Sequence, residues 1–243
     1  MNGGVVLLID SAFFIAVKKS TKYSCAILLI FAKSLKIILT KVFFGGRMKP
    51  IILASSSPRR QEILKLLNIP YQVKVSNFDE EYPAEIPPEQ VPEYLASRKV
   101  DAVARTYPAG HEIPWILGAD TMVLLDGKLY GKPTDNEEAE RFMHDFQGKT
   151  HQVITGLALF NGDLLFATSR TSITNVTFAP MTQEEIEWYV ETGDWHGAAG
   201  GYRIQGLASC FIQKIEGTNS NVVGLPIFEL YDMLKEQNYS ILE

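Results

Sequence analysis

The segment Leu53-Ala54-Ser55-Ser56-Ser57-Pro58-Arg59-Arg60 gathers three hydroxyl groups and two guanidinium groups around the start of a helix. The first backbone N–H groups of a helix lack intrahelical partners and favour an anion. Serine hydroxyls add donors, and arginine can bind phosphate oxygens through two parallel N–H groups. Cations in a first turn oppose the helix dipole, so adjacent arginines there point to an anionic partner. By spacing alone, a plain serine cap with solvated arginines explains the segment equally well. The glycines and the Gly-Lys-Ser/Thr pattern of a P-loop are missing.

A second candidate is Gly118-Ala119-Asp120-Thr121, inside the apolar run Trp115–Leu125. An aspartate in such a strand is costly to bury unless it is paired, bound to metal or placed at a cleft edge. Gly118 and Ala119 leave room beside it. Carboxylate oxygens are natural ligands of Mg²⁺ or Mn²⁺, which bridge phosphates. Lys132, in Gly131-Lys132-Pro133, is either a point charge for a phosphate or a solvated turn lysine. Asp79, Glu80 and Glu81 supply further carboxylates on an acidic loop. The stretch Gly200-Gly201-Tyr202-Arg203-Ile204-Gln205-Gly206 offers an aromatic ring to stack and an amide to read a base. His111, His144, His151 and His196 show no metal-ligand spacing and read as structural or solvated. There is no nucleophile elbow and no dinucleotide fingerprint.

Periodicity supplies the elements that must position these groups. Pro50–Ala54 is a short apolar strand, and Ser57 before Pro58 reads as a hydroxyl cap with proline at the first helical position. Tyr71–Val75 alternates as a strand, and residues 77–88 form an acidic loop. Glu89–Thr106 is a helix whose buried positions are Val91, Leu95, Val100 and Val103. Trp115–Leu125 and Lys128–Tyr130 are strands joined at Asp126-Gly127. Asp135–Phe146 is a helix. Thr150–Phe160 and Leu164–Phe178 form a hairpin turning at Asn161-Gly162. Thr182 and Glu185 make a capping box opening a helix to Glu191. A glycine-rich loop covers 193–206, Cys210–Ile215 is a strand, and Pro226–Gln237 is the last helix. Interleaved strands and helices with a hairpin predict an α/β fold with a mixed central sheet.

The 243 residues are 46% hydrophobic with a net charge of -5, which offers no global basic field for nucleic acid. Cys25 and Cys210 are far apart, and a disulfide framework is not expected. Residues 1–47 carry net +6. Their two apolar stretches are interrupted by Asp10 and by Lys33 and Lys36, so neither makes a spanning helix. This segment reads as an extension outside the catalytic fold of residues 48–243, with Met48 as the natural start. A weak membrane-surface anchor is the functional alternative.

Together these motifs resemble the Maf family of nucleotide pyrophosphatases, over about four-fifths of the chain. The likeness runs through Leu53–Arg60, Glu80, Lys99, Gly118–Thr121, Gly131–Pro133, Thr150-His151-Gln152-Val153, Ile204-Gln205-Gly206 and Val223-Gly224-Leu225-Pro226. The resemblance implies a mixed α/β fold of two lobes around a cleft, often a homodimer. It implies hydrolysis of a nucleoside triphosphate between the α- and β-phosphates in the cytoplasm, with Mg²⁺ or Mn²⁺ held by Glu80 and Asp120. It makes Asp120 catalytic and places Ser55, Lys99 and Lys132 in the cleft. Arg59, Thr121 and Gln205 match the positions that mark the branch acting on dTTP and UTP, Arg60 being left as a solvated neighbour. A nucleotide-binding regulator of septum formation with little turnover is the alternative. Many relatives read Asp-Lys-Ala-Gly-Ala-Tyr-Gly where this chain has Gly197-Ala198-Ala199-Gly200-Gly201-Tyr202-Arg203, which leaves the shape of the base pocket open.

Overall fold

The structure is a computed structural model that describes residues 48–75 and 80–242. The readings of residues 1–47 and of Asp79 lie outside the described residues. Strand β1 (Ile51–Leu53) runs into helix α1 (Pro58–Leu66), which returns to β2 (Tyr71–Val73). Helix α2 (Val91–Ala104) leads to the long strand β3 (Trp115–Leu125), which turns into β4 (Lys128–Tyr130). Helix α3 (Asn136–Phe146) precedes the hairpin of β5 (Thr150–Asn161) and β6 (Phe166–Phe178). Helix α4 (Gln183–Glu191), strand β7 (Ile212–Glu216), and helices α5 (Asn219–Val223) and α6 (Ile227–Glu236) complete the chain.

The seven strands form one mixed sheet in the order β2-β1-β3-β5-β6-β7, with β4 paired to β3. Strand β1 is parallel to both neighbours, and the other pairs are antiparallel. One edge of β3 is shared. β1 pairs with Trp115–Leu117 and β4 with Val123–Leu125. Between them the strand has no strand partner on that edge among the described residues, and Asp120 sits midway along the gap. On its other edge β3 is continuously paired to β5, with Asp120 opposite Gly156 and Thr121 opposite Thr155.

Side chains alternate across a strand, and the core follows. Ile116 and Ala158 face α2, whose Ala96, Val100 and Val103 are buried against them. Val91, Leu95, Val100 and Val103 are each at most 3% exposed, as the helical periodicity predicts. Burial of one such side chain contributes about 1.5–3 kcal/mol. On the opposite face Leu117, Ala119, Leu157 and Leu159 pack against Ile63 and Leu64 of α1 and Leu230, Met233 and Leu234 of α6. A third cluster joins Val123, Val153, Val176 and Phe178 to α3 and α4. The first two clusters form one lobe and the third the other, and the gap in β3 lies between them.

Two local readings are corrected, and one helix is added. The hairpin does not turn tightly at Asn161-Gly162: residues 162–165 form the loop, and Leu165, not Gly162, takes the left-handed conformation (φ 55°). Asn161 Oδ1 accepts from the N–H groups of Asp163 and Leu164. Gly162 is needed for close approach, since a Cβ there would lie 1.6 Å from the Ile113 carbonyl oxygen. Ser57 occupies the cap position of α1 but makes no side-chain cap. Its own N–H donates to Ser55 Oγ at 3.3 Å. Helix α5, within a segment without apolar periodicity, escapes the sequence reading; the capping box of Thr182 and Glu185 is present as read.

Candidate functional site

A cavity of about 430 Å³ opens at the gap in β3. Its lining includes Ser55, Arg59, Glu80, Lys99, Asp120, Thr121, Lys132 and Gln205, so the residues to which the resemblance gives a role in the cleft meet in one place, while Glu81 of the acidic loop is not among them. Asp120 and Thr121 point to opposite faces of the sheet yet both line this space, at the stretch of edge that pairs with no described strand.

Asp120 shares its face with Gly118, where a Cβ would lie 2.5 Å from the Ala96 carbonyl. The missing side chain lets α2 lie close to β3 and brings Lys99 over the carboxylate. Lys99 Nζ pairs with Asp120 Oδ1 and, at 3.0 Å, with Glu80 Oε1. One ammonium thus holds two carboxylates from elements 40 positions apart. Among the described residues, no group of three or more His, Cys, Asp and Glu side chains is arranged to hold a metal ion.

Arg60 is the main correction at the site. It is buried, not solvated. Its Nε donates to the Gly224 carbonyl at 2.8 Å, Nη1 to Ser55 Oγ at 2.8 Å and Nη2 to Thr121 Oγ1 at 3.1 Å. Desolvation lowers its pKa most, and Asp120 is the largest influence in the other direction. Arg59 is half-buried and donates to the Gly197 carbonyl at 2.8 Å. Burial, then the nearby Arg203, lower its pKa. The two arginines have therefore divided the work: Arg60 braces the loop, and Arg59 faces the cavity.

Lys132 stands exposed at the mouth and makes no ion pair among the described residues. Desolvation lowers its pKa first, followed by the charges of Arg60 and Lys99. Such crowding of cations is relieved by an anion. Gln205 is exposed in the lining, and its amide has no partner among the described residues. The segments on either side of it are fastened to Asp194, which pairs with Arg203 at 2.8 Å and accepts from the Leu207 N–H at 2.9 Å. Arg203 also donates to the His196 carbonyl. It thus anchors the loop that carries Gly197.

Tyr202 lines the cavity from below and is held by His151, whose Nε2 lies 2.8 Å from its hydroxyl. His151 is 1% exposed, between Phe146 and Phe178. Burial pushes its pKa down to about 4, so the ring is neutral. Of the two readings offered by the sequence, structural or solvated, the structural one holds; its partner is 51 positions away, which spacing alone does not reveal.

Chemically, the cavity offers hydroxyls, five cationic side chains and two converging carboxylates. That set suits a polyanion with a reacting centre near Asp120. The sequence model described as "Maf-like protein" matches residues 50–237. A Desulforamulus reducens protein named dTTP/UTP pyrophosphatase is 46% identical over 188 residues, 77% of this chain and 96% of that protein. Proteins of the same name from Symbiobacterium thermophilum and Pyrococcus furiosus are 44% and 40% identical, covering 80% and 77% of this chain and 97% and 95% of theirs.

Proposed function

This chain belongs to the Maf family, and from that premise we propose that it hydrolyses dTTP and UTP to the nucleoside monophosphate and pyrophosphate. The observation that carries this reading is the convergence of Asp120, Glu80, Lys99, Lys132, Arg59 and Ser55 on one cavity. A module that only bound nucleotide would have no need of a carboxylate in the open edge of a central strand.

Asp120 orients a water for attack at the α-phosphorus and takes its proton. Lys99 keeps Asp120 in place. Arg59, Lys132 and the N–H groups that open α1 stabilise charge on the phosphate oxygens as the α–β bridge breaks. Pyrophosphate leaves with the bridging oxygen. Gln205 and Thr121 read the pyrimidine edge.

Mg²⁺ or Mn²⁺ belongs to the same proposal. Such a cation is commonly bound by one or two carboxylates together with substrate phosphates. Glu80 and Asp120, already drawn together by Lys99, fit that donor set and would hold it. When bound, it would neutralise triphosphate charge and lower the pKa of a coordinated water.

We further read residues 48–243 as the catalytic unit, in the cytoplasm, with no nucleic-acid partner and with a homodimer as its assembly. No described helix is long and apolar enough to cross a membrane. A screen of the common and modified nucleoside triphosphates with Mg²⁺ or Mn²⁺, following pyrophosphate release, tests the function. Turnover concentrated on dTTP and UTP is expected. No turnover on any of them would overturn the proposal in favour of the non-hydrolysing regulator.

A further inference from the structure

Thr121 ends a directed chain of hydrogen bonds that starts on its neighbour strand. Thr155 is 0% exposed. Its hydroxyl donates to the Asn221 carbonyl at 3.0 Å. Asn221 is itself fixed, because its Nδ2 donates to the Val153 carbonyl and to Thr174 Oγ1, each at 2.9 Å. A hydroxyl carries a single proton, so Thr155 has none left for Thr121. The 3.0 Å contact between the two hydroxyls must therefore use the proton of Thr121. Arg60 can only donate, and its bond to Thr121 Oγ1 consumes a lone pair. What Thr121 can still offer the cavity is one lone pair. It is an acceptor there and has no proton to give.

Resting on the dTTP/UTP reading of the site, we infer that Thr155, acting through Thr121, is a specificity-determining positioning residue that makes the cavity accept the N3–H of uracil or thymine and reject cytosine. On the Watson–Crick edge of uracil and thymine the single donor is N3–H, flanked by carbonyl acceptors. Cytosine has an acceptor at N3 and moves its donor to N4. An acceptor-only hydroxyl facing N3 pairs with the first two bases and opposes a lone pair of the third. A buried polar group left facing the wrong partner discriminates strongly.

The experiment compares kcat/KM for dTTP and dCTP in the wild type, Thr155→Val and Thr155→Ser, with N3-methyl-dTTP as a third substrate for the wild type. Valine keeps the shape and removes the hydroxyl, so the Thr121 proton is released to face the cavity. The dTTP:dCTP ratio should fall at least tenfold in Thr155→Val and return to within threefold of wild type in Thr155→Ser. N3-methyl-dTTP should lose at least tenfold in kcat/KM against dTTP. An unchanged ratio in a folded Thr155→Val, or equal use of N3-methyl-dTTP and dTTP, would overturn the inference. If Thr155→Val does not fold, the methylated substrate decides alone. A wild type that turns over no nucleotide would instead overturn the proposed function.

Discussion

Lys99 and Asp120 form a contact ion pair in which neither side chain is more than 12% exposed. A buried pair of this kind is weak evidence for stability, since desolvation offsets much of the attraction. Its value is in placement. The ammonium fixes the carboxylate at a stretch of strand edge that pairs with no described strand, and Glu80 shares the same ammonium.

Asp120→Asn retains the shape of the side chain but removes the base. Turnover of dTTP should fall about a thousandfold, within the range typical of a lost general base. Lys99 keeps Glu80 as its partner, so the melting temperature should stay within a few degrees of wild type. Pyrophosphate release and a thermal melt check both halves. Wild-type turnover would remove Asp120 from the chemistry.

Arg60→Ala should be the more damaging of the two arginine substitutions in α1. It strips donors from Ser55, Thr121 and the Gly224 carbonyl at once. A loss of about 2–4 kcal/mol in urea unfolding is expected, because buried acceptors are left unpaired. Arg59→Ala, which gives up a single bond to Gly197, should be much milder in stability and should act on KM for the nucleotide.

Lys132 governs the alkaline limb. Its pKa lies below the ordinary lysine value of 10.5. Its charge, and with it the grip on the phosphates, is therefore lost at lower pH than for an ordinary lysine. kcat/KM should fall as pH rises through that lowered value. Lys132→Arg retains its charge and should move the limb to higher pH; Lys132→Ala should lower kcat/KM about 10–100-fold at neutral pH. A pH profile that is the same in wild type and Lys132→Arg would exclude this role.

His151 sets an acid-side limit on stability. Its folded pKa of about 4 lies below the ordinary histidine value of 6.5, so the unfolded chain binds the proton more readily. The stability associated with neutral His151 is full above pH 6.5 and is lost as pH falls from there toward about 4, to a total of about 3 kcal/mol. His151→Phe removes this titration and should flatten the dependence across that window in urea unfolding. The same variant releases Tyr202 and should raise KM.

Much of this was legible in the chain. The 3.6-residue spacing of Val91, Leu95 and Val103 revealed α2, and the unbroken apolar run from Trp115 revealed β3. Motif order joined Ser55, Asp120, Lys132 and Gln205 into one site. The roles of the two arginines were not legible, because burial of Arg60 depends on a carbonyl 164 positions away. Asp194 and Arg203 likewise become partners only when a loop folds back. Gly162 carries the signal of a tight turn but serves close packing against Ile113. Local sequence reports dihedral preference, and such contacts are set by what arrives from elsewhere.

The Arg60 guanidinium also orders events in time. Ser55 lies beside it almost from the start of the domain, Thr121 follows 61 positions later, and Gly224 comes 164 positions later. During synthesis, a nascent chain can shape the central strand and its hairpin, but it cannot close the brace behind the anion loop until residue 224 has left the ribosome. Nucleotide recognition is then among the last properties the polypeptide acquires, and a chain interrupted before that point would be folded in part and catalytically mute.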